Sequence, residues 1–336
     1  MHVIQLMRKP QTGYHSFERL FSDIRKAMPA GVSVRLVHSP FHSRGLFRRL
    51  LNCIHAATLR ADVIHITGDI HYLAPALVGR RVVLTVHDLA PLLAKSGLSR
   101  RVFRFLWYTL PLRTVKITTA ISRAVVDELV RHAGADVGKI RLIPNCFAQE
   151  FTPAPKAWPK APEKTVALMV GTRPNKNLRR MVKALKGLPV EVRIVGQLSA
   201  EESAWMDSTG VSVSVLGRLP DEALPEAYRS ADLLAFASTY EGFGLPVLEA
   251  QATGRPVLTS AIPALREAAG EGALFVDPQS VDSIRQGFQR LLENPALRRS
   301  LIEKGSANVA RYQPEKIAAM YAEAYREAGG EMRAES

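Results

Sequence analysis

The sequence predicts an α/β protein made of two doubly wound parallel-sheet domains that face each other across a cleft. Three observations carry this. Short β-branched runs alternate with helical periodicity, the alternation starts twice, and a proline-rich stretch stands between the two series. A chain of 336 residues that is 47% apolar also has enough material for two cores.

The first series opens with HVIQLM and continues through VSVRLVHSP, ADVIHITG, RVVLTVHD, VKITTAIS and KIRLIPN, each a buried parallel strand by its composition. Between them lie the helical patterns SFERLFSDIRKAM, LFRRLLNCIHAATL, RRVFRFLWYTL and SRAVVDELVRH, the last with Ser122 as its N-cap. Residues 1–150 therefore form the first domain, and a helix at about 314–330 is expected to pack back on it. FTPAPKAWPKAPEKTV follows, and its prolines remove backbone donors, so 151–165 reads as an interdomain linker. The alternation restarts with TVALMVG, VEVRIVG, VSVSVLG, DLLAFAS, RPVLTS and ALFVDP, giving a second domain over 166–313.

Composition excludes several classes. Cys53 and Cys146 are the only cysteines, too few for a disulfide framework and not spaced for a zinc site. No window approaches the ~18 apolar residues of a membrane span, and the start of the chain lacks a signal-peptide pattern, so a cytoplasmic protein is expected. The net charge of +14 is uneven: residues 1–150 hold 22 Lys and Arg against 9 Asp and Glu, whereas residues 151–336 are nearly balanced. Such a basic half suits nucleic acid, an anionic membrane face or an anionic substrate.

In open parallel sheets ligands bind beyond the carboxyl ends of the strands. There, after DLLAFAS, stands YEGFGLPVLEA, with Glu241 in the loop and Glu249 one turn into a helix begun by Pro246. Helical side chains lean toward the N-terminus, which brings both carboxylates to one ligand. Gly242 and Gly244 permit close backbone approach, and the first helical N–H groups favour an anion. After the first strand of the second domain, VGTRPNKN adds Arg173 and Lys176. Hydroxyl-accepting carboxylates beside cations and helix N–H groups fit a nucleoside diphosphate sugar.

These residues resemble the retaining glycosyltransferases of family 4, whose GT-B fold has two Rossmann-like domains facing a cleft. The resemblance rests on the E-x7-E pair Glu241 and Glu249 within SADLLAFASTYEGFGLPVLEAQATGRPVLTS, with IPN, VGTRPNKN, LGRLPDEAL and GALFVDP around it. It implies that Glu249 binds ribose hydroxyls, that Glu241 lies beside the transferred sugar, and that Phe243, Gly244 and Leu245 offer backbone N–H groups. Arg173 and Lys176 would hold the diphosphate, with Thr172, Gly217 and Arg218 also on the donor side. Where many relatives read PRKN this chain reads PNKN, so Asn175 stands at a position often cationic.

In the first domain the resemblance implies a donor-side turn at Gly13 and an active-site histidine at His87 in TVHDL. HITGDIHYL supplies His65, Asp69 and His71 as acceptor-side candidates. No D-x-D triplet is present, so no metal and no cofactor is expected beyond the nucleotide sugar as co-substrate. The implied reaction moves a sugar, with retention and without a divalent ion, to a glycan or lipid-linked acceptor in bacterial envelope polysaccharide (lipopolysaccharide-type) biosynthesis.

Three competitors remain. A glycoside hydrolase also uses two carboxylates but has no use for a diphosphate cradle. A sugar-nucleotide epimerase of the same fold needs no acceptor. A nucleic-acid-binding protein would explain the basic half, yet no nucleic-acid motif appears, and no nucleic acid is expected as partner. The segments Leu46 to Leu59 and Arg100 to Leu112, the latter with Trp107, mix cations with large apolar residues and suit an anionic membrane surface as well as they suit a buried helix with a basic edge. The expected location is the cytoplasm, with a peripheral place on the inner membrane.

Overall fold

The computed structural model describes residues 1–10 and 16–330. It divides into two compact units. One comprises Met1–Cys146 together with the chain from Gln313 onward, and the other Phe147–Tyr312.

The first unit holds a six-stranded sheet of β1 (His2–Met7), β2 (Ser33–His38), β3 (Val63–Ile66), β4 (Val82–Val86), β5 (Ile117–Ala120) and β6 (Ile140–Leu142). Its order is β2-β1-β3-β4-β5-β6, and every pair is parallel. The second unit repeats the plan with β7 (Thr165–Val170), β8 (Val190–Val195), β9 (Ser212–Gly217), β10 (Leu233–Phe236), β11 (Val257–Ser260) and β12 (Leu274–Val276). Its order is β12-β11-β10-β7-β8-β9, again all parallel. Both sheets are doubly wound α/β sheets, and all twelve strands fall in runs that the sequence marks as strands.

In each sheet the chain reverses its direction of travel at one seam, between β1 and β3 in the first unit and between β7 and β10 in the second. Loops leave such a seam to opposite sides and open a crevice at the strands' carboxyl ends. The seam between β7 and β10 joins the two loops that carry Lys176 and Glu241.

The helix Pro314–Gly329 belongs to the first unit: Ile317, Tyr321, Ala322 and Tyr325 pack with Val3, Phe21, Val63 and Val83 in one core. The proline-rich stretch is not a free linker. Trp158 packs on the core of the second unit with the Arg298 guanidinium 3.9 Å from its ring, and Lys156 pairs with Asp232 at 2.6 Å. Arg255 donates to the Ala154 carbonyl, while Ala154 N donates to Thr253 O at 3.2 Å. Prolines offer no N–H for regular pairing, and here both backbone groups of Ala154 between them are taken up by Arg255 and Thr253 of the second unit. The boundary between units therefore falls at Cys146 and Phe147 rather than within 151–165.

Local signals act as their chemistry requires. Ser122 caps its helix by accepting from Val125 N at 3.2 Å. The stretch around Trp107 departs from the expected single helix: an α-helix Gly97–Arg104 widens into a π-turn Phe105–Thr109 before a further α-turn Leu110–Thr114. Pro111, whose ring cannot accommodate a regular preceding turn, stands just after the widened segment.

Candidate functional site

The site of the second unit grows from the ends of β7 and β10. Beyond β7, Gly171 has φ +89°, and a Cβ there would come within 2.9 Å of Lys176 Cε. The lysine thus folds back over a residue that must be glycine. Its ammonium lies 4.5 Å from the centroid of Phe236, the last residue of β10, and 2.7 Å from Oε1 of Glu241. Both side chains of this ion pair are largely shielded from solvent.

Asn175 joins the same two loops. Its side-chain amide donates to Tyr240 O at 2.9 Å and to Glu241 Oε1 at 3.3 Å, while its carbonyl accepts from Thr239 N at 2.8 Å. The departure PNKN therefore has a structural consequence: a neutral amide tethers the loop of Glu241 where a cation often stands. Asn177, with φ +59°, donates to Ala237 O at 2.9 Å and Pro278 O at 2.7 Å, which holds the turn after β7 against the ends of β10 and β12.

The helix Leu245–Ala252 follows the Glu241 loop, with Pro246 in its first turn, as the sequence predicts. Gly244 has φ +131°, and a Cβ would meet Leu265 Cδ2 at 2.6 Å. The Phe243 ring is buried edge-on to Tyr312, so only its backbone remains for a ligand; Gly242 and Leu245 are half-buried beside it. One turn into the helix, Glu249 Oε2 accepts a 2.5 Å hydrogen bond from the hydroxyl of Tyr228. Burial, and then the nearby Glu249 carboxylate, pushes the Tyr228 phenol well above its ordinary range, so it stays a donor.

The other residues expected on the donor side lie at neighbouring strand ends. Gly196 N donates to Gly217 O at 2.8 Å, and a Cβ on Gly196 would come within 2.7 Å of Thr172 Cγ2. Thr172 and Gly217 therefore share one corner, with Arg218 exposed next to it and Arg173 exposed after Thr172. The Gly13 expectation lies outside the described residues.

The first unit treats its candidates unequally. His87 directly follows β4, nearly buried, with Nε2 3.2 Å from Thr67 O. Burial lowers its pKa to about 4, so it is neutral near pH 7. Asp69, beyond the carboxyl end of β3, has an exposed carboxylate 3.6 Å from Arg8 at the end of β1. This ion pair marks the seam between β1 and β3.

Two acceptor-side expectations need correction. His65 lies within β3 rather than beyond it and is fully buried, with Nδ1 2.8 Å from the Tyr325 hydroxyl and Nε2 2.7 Å from Thr85 Oγ1. Both ring nitrogens serve the core, where burial takes the pKa down to about 3. His71 is also buried, its Nδ1 3.1 Å from Trp107 O, with a pKa lowered by burial to about 4. It braces the π-turn rather than facing a ligand.

Tyr228, Asn175 as a tether and Asn177 are the site residues that sequence reasoning missed. Only Asn177 left a signal, because asparagine tolerates positive φ before a helix. Among the described residues no group of three or more His, Cys, Asp or Glu side chains is arranged to hold a metal ion.

Comparisons agree with this construction. Residues 150–308 match the family model described as Glycosyl transferases group 1, and residues 11–150 match Glycosyltransferase Family 4. The chain is 33% identical over 172 residues to O-antigen chain mannosyltransferase B of Escherichia coli, covering 48% of this chain and 45% of that protein. It is 27% identical over 252 residues to O-antigen chain mannosyltransferase RfbU of Salmonella typhimurium, covering 72% and 68%. The matches to curated relatives thus span from less than half to about two thirds of their length. Among solved structures, Anabaena Alr3699/HepE in complex with UDP superposes with a TM-score of 0.75 at 18% identity, over 96% of this chain and 98% of that one. The two curated relatives are named as mannosyltransferases, which disfavours the epimerase expectation. Two family models end to end, a shared fold and the E-x7-E pair at the β7/β10 seam place the chain in glycosyltransferase family 4, with the GT-B fold.

Proposed function

We propose that the protein transfers a sugar from a nucleoside diphosphate sugar to a glycan or lipid-linked acceptor, with retention of anomeric configuration. The observation that carries this is the arrangement at the β7/β10 seam: Lys176 against Glu241, then the helix start at Leu245, then Glu249 held by Tyr228. A cation, a glutamate, a row of helix N–H groups and a second glutamate follow one another as diphosphate, sugar and ribose require.

In this reading Glu249 accepts from the ribose hydroxyls, oriented by Tyr228. Lys176 and Arg173 meet the diphosphate, whose charge grows as the sugar–phosphate bond loosens; fixed cations stabilise that growth more than the ground state. The ion pair keeps Lys176 positioned while leaving two of its three N–H donors for phosphate oxygens. The acceptor hydroxyl attacks from the leaving-group face, and the departing phosphate takes its proton. Glu241 then positions the sugar and balances charge rather than forming a covalent bond. Neutral His87 would hydrogen-bond the sugar, with Asp69 on the acceptor side, and the charge of the diphosphate is met without a divalent ion.

The relatives named O-antigen chain mannosyltransferases support an envelope polysaccharide as acceptor class and put mannose first among the sugars to test. A thermal-shift screen of nucleoside diphosphate sugars tests the donor half. One nucleotide should raise the melting temperature both free and as its sugar, and product from that donor should keep the anomeric configuration. If no nucleotide sugar stabilises the protein, the reading fails.

A further inference from the structure

We infer that the first unit carries an interfacial face for an anionic lipid bilayer, formed by the outward sides of the helix Leu46–Thr58 and of the stretch Gly97–Thr109. This goes beyond the proposed glycosyl transfer and stands or falls separately from it. Amphipathic helices of a water-soluble surface bury their apolar side. The helix Leu46–Thr58 does the reverse. Leu46, Phe47, Leu50 and Ile54, which share a sector of about 100° on the helix, are 55% to 83% exposed. Its buried residues are Asn52 and Ala56, and Asn52 spends its amide on Phe41 N and O, at 3.0 and 2.9 Å, and on the Tyr72 hydroxyl at 3.0 Å. The helix is thus fixed to its unit by a polar anchor while its apolar sector faces away.

The second element has the same construction. No residue of the helix Gly97–Arg104 is buried, and Leu98, Val102, Phe105 and Leu106 are 43% to 75% exposed at helical spacing. Trp107, which the sequence offers for such a face, is not part of it. Its ring stacks on Phe103 at 5.0 Å, and its Nε1 donates to Asp69 O at 3.3 Å. The Arg49 guanidinium lies 4.6 Å from the Trp107 ring and so bridges the two elements into one neighbourhood.

Charge identifies the occupant. Residues 24–61 contain seven Lys and Arg and no Asp or Glu, and residues 89–126 contain another seven with none. The two apolar sectors lie inside these two acid-free segments, with Arg44, Arg48, Arg101 and Arg104 exposed around them. A cavity of about 500 Å³ beside Phe47 combines Lys9, His42 and Arg48 with Phe41 and Leu51, cations next to hydrocarbon. Nucleic acid would reward the cations but not eight exposed aliphatic and aromatic side chains; an anionic bilayer rewards both. Among the described residues no helix is long and apolar enough to cross a membrane, so the contact is a docking on the surface.

Co-sedimentation with vesicles tests this. The protein should bind vesicles of phosphatidylglycerol in phosphatidylcholine, ignore pure phosphatidylcholine, and lose binding as salt rises. Arg101→Gln and Arg104→Gln should each weaken binding roughly fivefold, and a Leu50→Ser/Ile54→Ser double variant by roughly tenfold or more. These side chains are exposed, so melting temperature and nucleoside diphosphate binding should stay as in the parent protein. A Phe47→Trp variant in the otherwise native chain should gain a blue-shifted emission component with anionic vesicles only. Equal indifference to both vesicle types overturns the inference, as does unchanged binding by the apolar double variant. Tighter association with duplex DNA than with the anionic vesicles would overturn it in favour of nucleic acid.

Discussion

Lys176 Nζ lies 2.7 Å from Glu241 Oε1, and the same carboxylate oxygen accepts from Asn175 Nδ2 at 3.3 Å. One glutamate oxygen therefore gathers two donors from the turn after β7, and the loop after β10 is held shut against that turn. A cation held this way is positioned before any ligand arrives, which is the condition under which electrostatic stabilisation costs no reorganisation. Lys176→Ala should lower turnover at saturating donor by roughly 10²- to 10³-fold. The melting temperature should move little, because the pair joins two loops at the edge of the unit and is not part of its apolar core. Near-normal turnover would show the lysine to be a structural partner of Glu241 and nothing more.

The contact between Tyr228 and Glu249 makes a graded prediction. Glu249→Ala removes an ionised acceptor and should weaken both the nucleotide sugar and the free nucleoside diphosphate by roughly 1.5–3 kcal/mol. Tyr228→Phe leaves the carboxylate but frees its orientation, so the loss should be smaller, about 0.5–1.5 kcal/mol. Titration calorimetry with the free nucleoside diphosphate separates the two. Affinity unchanged in Glu249→Ala would remove the ribose assignment.

Gly244 is limited twice, by φ +131° and by Leu265 Cδ2, which would stand 2.6 Å from an added Cβ. Gly254, at φ +76° with nothing within 4 Å, is limited only once. Gly244→Ala should therefore cost about 2–4 kcal/mol, strain and overpacking together, against about 1–2 kcal/mol for Gly254→Ala. Urea midpoints of the two variants decide the order, and equal losses would mean that Leu265 yields freely.

The sheets were legible in the sequence because parallel strands buried on both faces must be short, β-branched and apolar, and each run is punctuated by glycine, proline or a polar residue. The start of the helix Leu245–Ala252 was legible for a similar reason, through Gly244 and Pro246. Tyr228 was not legible, since its partner stands 21 residues away and only the packing of the helix Leu224–Ser230 beside the helix Leu245–Ala252 brings them together. His65 carried a warning in its own strand: within VIHI, all four residues of β3 are buried, so a histidine there serves the core. The proline-rich stretch misled because composition reports local stiffness, whereas its attachment to Asp232, Arg255 and Arg298 is tertiary.

Activity should survive chelation. Lys176 and the first N–H groups of the helix Leu245–Ala252 offer positive charge where the diphosphate would lie. Assay of the purified protein after exhaustive EDTA treatment, with and without magnesium or manganese, is the measurement. Complete loss restored by either ion would falsify this.

The last prediction concerns acid. His65, His71 and His87 are all buried in the first unit, and burial lowers their pKa values to about 3, 4 and 4. In the unfolded chain each titrates near its ordinary value of about 6.5. Between that value and the folded one the unfolded state binds protons that the folded state refuses, so stability must fall as pH falls through this window. Above it, both states are neutral and these groups contribute no slope. Each histidine can contribute up to about 1.4 kcal/mol per pH unit. The transition that reports the first unit should therefore be flat between pH 7 and 8 and drop steadily below about pH 6.5. In His65→Asn the absolute stability should be lower, because Tyr325 and Thr85 lose their partner, yet its decline toward pH 5 should be shallower than in the parent protein. Slope rather than midpoint is the readout, since a merely structural loss would move the midpoint and leave the slope as it was.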